Sequence, residues 1–157
     1  MKYEVKLSLL SSEFTLDYPP ADYPELMHKH GRPYTCLLID MHNDYYICVP
    51  FRSSIGHKNA YMFTETERSK KTGSGLDYSK IVLIKNENYF DFIKKAVVDQ
   101  DEYAEMMKNL SRIIREVIDY VDTYINHIKK TRLMHPREFM RKYQYSTLAY
   151  FHDIMGI

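Results

Sequence analysis

The stretch YTCLLIDMHNDYYICVPFRSSIGHKNA, residues 34–60, decides the fold. Its first part, residues 34–41, is apolar enough to be a central strand. His42, Asn43 and Asp44 are turn residues. Residues 45–51 are aromatic and β-branched, so they return antiparallel as the second arm of a hairpin. Pro50 has no N–H to give a ladder, and regular pairing is expected to stop there. Beyond it a guanidinium (Arg52), two hydroxyls (Ser53, Ser54), a glycine (Gly56), an imidazole (His57) and an ammonium (Lys58) fall within seven residues. Such a set binds phosphate and moves protons. The alternative reading is a polar surface loop.

Outward from the hairpin, residues 2–9 alternate, with Tyr3, Val5, Leu7 and Leu9 on one face of a half-buried first strand. Ser11, Ser12 and Glu13 suit the cap of a short helix that ends before Pro19 and Pro20. Residues 21–33 read as a turn and a brief helix around Leu26, after which Gly31-Arg32-Pro33 resets the backbone. A short strand is expected at residues 60–63, a polar mobile loop over 64–77, and a buried strand over 80–84. From about Asn86 the pattern turns helical, over residues 87–98 and then 100–130. The second segment carries an apolar stripe from Tyr103 to Ile128 that suits packing on a sheet. Pro136 opens a further helix to about Tyr143, and Ser146 begins a last amphipathic segment to Met155. Strands gather in the first half and helices in the second. That is an α+β layout with a mostly antiparallel sheet, in one compact domain over residues 1–157.

The 157 residues suffice for a proper core without disulfides or metal. With a net charge of +1 the chain is not grossly basic, so any nucleic-acid binding must come from a local patch. Fifteen tyrosines and no tryptophan are a heavy bias. Tyrosine stacks on unpaired bases and hydrogen-bonds phosphates, but it is also ordinary core material. Cys36 and Cys48 fall on successive expected strands and read as reduced thiols of a cytoplasmic protein. No apolar run approaches the ~20 residues of a membrane span.

Several chemistries lack their devices. His28 and His30 form an isolated H-x-H, and no Cys pair or H-E-x-x-H accompanies them, so no metal and no other cofactor is expected. Gly73-Ser74-Gly75 lacks the lysine of a phosphate-binding loop and reads as a hinge. Ser53 and His57 would suit a hydrolase, but there is no G-x-S-x-G elbow and nothing nominates the acid. RNA transesterification needs none of these. Its nucleophile is the substrate's own 2′-hydroxyl, and the protein has only to move protons and stabilise charge on the phosphorane.

Arg32-Pro33-Tyr34, the hairpin into Val49-Pro50-Phe51-Arg52-Ser53, and His57-Lys58-Asn59-Ala60 resemble the toxins of type III toxin–antitoxin systems. These are the ToxN/AbiQ endoribonucleases, and the CptN-like branch is the nearest in pattern. Leu76-Asp77-Tyr78-Ser79-Lys80 and Tyr145-Ser146-Thr147-Leu148 fit the same picture, which covers essentially the whole chain. The resemblance implies a strongly bent sheet with a Kid/MazF-like core, wrapped by C-terminal helices. It implies metal-independent cleavage of cellular or phage RNA to 2′,3′-cyclic phosphate and 5′-hydroxyl ends. The implied partner is a pseudoknotted RNA antitoxin, processed by the toxin and held in a closed protein–RNA assembly.

Under that resemblance Ser53 matches the catalytic-loop serine and Arg32 the basic residue before the first hairpin strand. The pattern departs at Arg52, where a threonine is usual, and the downstream basic residue is displaced to His57-Lys58. The candidate catalytic residues are therefore Ser53, Lys58, His57 and Arg52. Lys58 suits charge stabilisation, and His57 is the weaker candidate for proton transfer. Candidate RNA-binding residues are Arg32, Ser54, Lys80, Lys70, Lys71 and Tyr45. Each has a plainer reading: Ser53 and Ser54 as turn formers, Arg52 as an ion-pair partner, Lys80 as a guard on a strand edge. A non-catalytic module that grips structured RNA is the alternative for the whole chain.

Overall fold

The computed structural model describes residues 3–27, 34–42 and 44–157, and only the backbone of Met41 and His42. The hairpin at its centre is β2 (Thr35–His42) and β3 (Tyr45–Arg52). They pair with Cys36 opposite Pro50 and Ile39 opposite Ile47, and the register shifts before His42 meets Tyr45. The turn uses Asp44 at φ 70°, the left-handed region that Asp tolerates better than most. On the outer flank of β2 lies β1 (Val5–Leu10), with Val5 opposite Ile39 and Leu9 opposite Thr35.

The other flank of β3 changes partner along its length. Tyr46–Cys48 pair with β6 (Val82–Ile84), whereas Phe51 and Arg52 pair with β5 (Gly75–Asp77). Pro50 stands between the two. Bonding directions alternate along a strand, so its missing N–H falls on this flank, where neither β5 nor β6 reaches it. Pro50 therefore does not end the strand, contrary to the expectation from sequence. It marks the seam where one neighbour gives way to the next. β4 (Ala60–Met62) pairs outside β5, and β7 (Phe90–Asp91) pairs with Leu9 and Leu10 of β1. The result is a seven-stranded sheet in which every pairing is antiparallel.

Helices supply the second layer: α1 (Ser12–Asp17), α2 (Glu67–Thr72), α3 (Gln100–Lys108), α4 (Leu110–Ile128), α5 (Pro136–Tyr143) and α6 (His152–Met155). The stripe on α4 buries Ile113, Val117, Val121 and Tyr124 in the same cluster as Leu37, Ile39, Ile47 and Val49 of the hairpin. The architecture is α+β, as the sequence implies. Cys36 and Cys48 are buried free thiols in this core. Burial, and then a hydrogen bond with Cys36, pushes the Cys48 thiol well up. Among the described residues no helix is long and apolar enough to cross a membrane.

Five further expectations are corrected. In place of a brief helix around Leu26, the described residues up to Met27 form turns, with Leu26 N donating to Tyr23 O at 3.2 Å. The helix over 100–130 breaks at Asn109, whose side chain donates to Glu105 O at 2.8 Å and so competes with the helical pattern. Residues 87–98 are not helical. Asn86 caps a 3-10 turn at Glu87–Tyr89, and Asp91 Oδ1 accepts from the N–H groups of Ile93 and Lys94, turning the chain away after β7. The polar loop 64–77 contains α2, started by a Thr66–Ser69 capping box and stopped by left-handed Gly73, and then β5. Lys80 ends a 3-10 turn (Tyr78–Lys80) capped by Asp77, and the strand after it starts only at Val82.

Candidate functional site around Asp77

The segment after β3 is pinned at every second residue. Ser54 takes a left-handed φ of 56°, which lets Ile55 turn inward and donate to Gly73 O at 3.1 Å. Asn59 O accepts from Tyr78 N at 2.9 Å, and Asn59 Nδ2 donates to Lys142 O at 3.1 Å. Ser54, Gly56 and Lys58 are left exposed, with His57 turned inward between them. His57 and Lys58 therefore face different surroundings.

What His57 meets is Asp77, the last residue of β5, which has no exposed surface. A buried carboxylate needs partners to offset its lost hydration, and Asp77 has several. Arg52 Nη1 lies 2.7 Å from its Oδ2. Its Oδ1 accepts from Ser79 Oγ at 2.7 Å and Ser79 N at 2.9 Å, and lies 3.1 Å from His57 Nε2. Ser79 Oγ is also 3.2 Å from His57 Nε2. On the other side of the ring, Nδ1 accepts from Asn59 N at 3.1 Å. An accepting Nδ1 puts the proton of the neutral ring on Nε2, so both ring nitrogens are engaged within the protein.

Arg52 gives Asp77 one of its nitrogens, and its remaining N–H groups have no protein partner among the described residues. It lines a pocket of about 190 Å³ together with Ser53, Arg68, Glu102, Tyr34 and Asp99. Arg68 is held in the same way. It binds the fully buried Glu102 of α3 bidentately at 2.7 and 3.2 Å, and Ser74 Oγ donates to that carboxylate at 2.7 Å. Two guanidinium groups, each fixed by a buried carboxylate, thus flank one polar pocket with the Ser53 hydroxyl on its wall. Such donors can contact a phosphate without first being ordered.

The remaining candidates are dispersed. Ser54 and Lys58 are exposed, and Lys70 and Lys71 are exposed on the last turn of α2. Lys80 Nζ is spent on Glu25 Oε2 at 3.0 Å and Tyr145 O at 3.4 Å, tying the turn after β5 to distant segments. Tyr45 is corrected: only 2% exposed, its ring belongs to the core and offers no face to a base. Strand alternation puts it on the same side as Ile47 and Val49. Arg32, like the H-x-H of His28 and His30, lies outside the described residues. Among the described residues no three His, Cys, Asp or Glu side chains converge as a metal site requires.

Sequence reasoning missed Asp77, Ser79 and Glu102 as site residues, whereas Arg68 is one of the loop cations from which phosphate contacts are expected. Asp-x-Ser at 77–79 carries only the signal of a local turn. What joins it to Arg52 is a strand pairing, Arg52 opposite Gly75, which spacing along the chain does not encode. Compared with models of known protein families, with curated proteins and with solved structures, the chain matches none.

Proposed function

We propose that this protein is an endoribonuclease toxin of the type III toxin–antitoxin kind, with a sheet related to the Kid/MazF core and a cytoplasmic site of action. It cleaves RNA by attack of the 2′-hydroxyl on the neighbouring phosphate, without a metal. A pseudoknotted RNA antitoxin inhibits it and is held with it in a closed protein–RNA assembly. The observation that carries this reading is Arg52, anchored at 2.7 Å to buried Asp77, with its other N–H groups unpaired among the described residues and turned to the pocket that Ser53 also lines. Charge that grows on a phosphorane oxygen is stabilised most by donors already in place.

One observation favours the second reading, a module that grips structured RNA without cutting it. His57, the natural proton carrier, has both nitrogens occupied. The two readings separate on product analysis. The purified protein, incubated with RNA in the presence of a chelator, is expected to release fragments with 2′,3′-cyclic phosphate and 5′-hydroxyl ends. Ser53→Ala is expected to cut much more slowly at unchanged RNA affinity, because its hydroxyl acts only as the transition state forms. RNA that is bound but intact under all conditions would leave only the binding module.

A further inference from the structure

The chain's near-neutral total hides a lopsided distribution. Between His127 and Lys142 stand Lys129, Lys130, Arg132, Arg137, Arg141 and Lys142 against the single acid Glu138, so the rest of the chain carries net negative charge. Lys129, Lys130, Arg132, Arg137 and Arg141 are exposed. The ion pairs among the described residues involve Arg52, His57, Arg68, Lys80 and Arg112, and none of these six cations.

The support beneath them is firm. Past α4 the chain folds back, with Thr131 N and Arg132 N both donating to Asn126 O, at 3.0 and 3.2 Å. His127 Nδ1 accepts from Met134 N at 3.0 Å, and its ring stacks on Phe139 at 3.8 Å. On α5, Phe139 and Tyr143 turn inward, the Tyr143 hydroxyl donating to Tyr120 O at 2.7 Å. Arg137 and Arg141, one helical turn apart, share the outer face. Lys142 sits over the rings of Tyr120 and Tyr143 at 5.8 and 5.7 Å. At this end α5 meets the segment of His57, since Lys142 O is the acceptor for Asn59 Nδ2.

We infer that the α4–α5 hairpin is an RNA-docking surface, along which the phosphates of a strand run over Arg132, Arg137 and Arg141 toward the pocket of Arg52 and Ser53. This rests on the RNA reading above and adds where the strand is gripped. Unneutralised cations held on a rigid support repel one another and favour a polyanion. Arg137 and Arg141 stand ~6 Å apart along the axis of α5. An anionic membrane is the lesser fit, because the aromatic side of α5 is already packed against α4, leaving only Leu133 and Met140 as large exposed apolar side chains of the hairpin.

The test uses a fluorescein-labelled 20-nucleotide RNA carrying 2′-O-methyl groups throughout, which cannot be cut by transesterification, so binding is read whatever the outcome for cleavage. Fluorescence anisotropy is recorded over a salt series for the wild type, Arg137→Gln/Arg141→Gln, and Lys94→Gln/Lys95→Gln, two exposed lysines past β7. The α5 variant is expected to bind about tenfold more weakly. Its slope of log association constant against log salt should shrink by about 1.4, at ~0.7 for each single-strand phosphate no longer neutralised. The Lys94→Gln/Lys95→Gln variant should match the wild type, and circular dichroism should show all three equally folded. An α5 variant with wild-type affinity and slope overturns the inference. So does a wild type that binds vesicles of equimolar phosphatidylserine and phosphatidylcholine but not the RNA. Weakened binding confined to the α5 variant, in a protein that cuts no RNA, upholds the docking surface and rejects the nuclease.

Discussion

A carboxylate with no exposed surface, such as Asp77, is tolerated only while its partners stay in place. Asp77→Ala removes the acceptor for Arg52, His57 and Ser79 together. It is expected to cost about 3 kcal/mol or more in urea denaturation, the usual penalty for breaking a buried pair from one side. His57 gives a finer test. With Nδ1 and Nε2 both bonded, on the proposed nuclease reading it would act through the groups that it positions. His57→Gln should therefore lower single-turnover cleavage while the profile between about pH 5.5 and 7.5 keeps its shape. A flattened profile would instead return proton transfer to the ring. At this scale the sequence was half legible. Arg52, Ser53 and His57 stood out as a dense polar run after an apolar strand, but Asp77 looked like any turn aspartate.

Elements were legible wherever one period dominates. The β2–β3 hairpin reads from its apolar runs and its turn, and α4 from its stripe. Misreadings fall where side chains bond to nearby backbone, as Asn86, Asp91 and Asn109 do, because such bonds override the periodicity on which a helix is read. Thr66 and Ser69 did hold a capping signal in the sequence, hidden in a stretch whose lysines and glycines look like loop. Gly75 is a different matter. A methyl group there would meet Tyr61 O at 2.1 Å, so β4 lies against β5 only because that side chain is absent. Gly75→Ala should push the two strands apart at a cost of about 2 kcal/mol. Thermal unfolding would register it as a clear fall in Tm, and an unchanged Tm would mean that β4 can be displaced freely.

For the molecule as a whole, the tyrosine bias is now a structural matter. Burial raises the phenols of Tyr61, Tyr89 and Tyr124 to about 12, and those of Tyr78, Tyr120 and Tyr143 higher still. An unfolded tyrosine ionises near ~10, so above that pH the unfolded chain releases protons that the folded one keeps. Stability is then intact below about pH 10 and falls as pH rises toward 12 and beyond. Absorbance at 295 nm followed beside circular dichroism should show part of the tyrosine titration delayed until the fold is lost. Titration complete near pH 10 in a still-folded protein would contradict it. Many of the fifteen tyrosines are thus core material, and the stacking role that composition suggested is open only to exposed ones such as Tyr145, at 62% exposure.

The bonds from Asn59 to Lys142 and from Thr147 to Ser79 tie the centre around Asp77 to segments far along the chain. Chains are made in one direction, and residues 142–147 leave the ribosome well after residues 52–79. The polar loop is therefore born before the parts that hold it, and a growing chain has no finished site. On the proposed reading, in which the protein grips or cuts RNA, the machine assembling it is itself largely RNA. On that reading the order of synthesis would keep the unfinished site from acting on the ribosome that makes it.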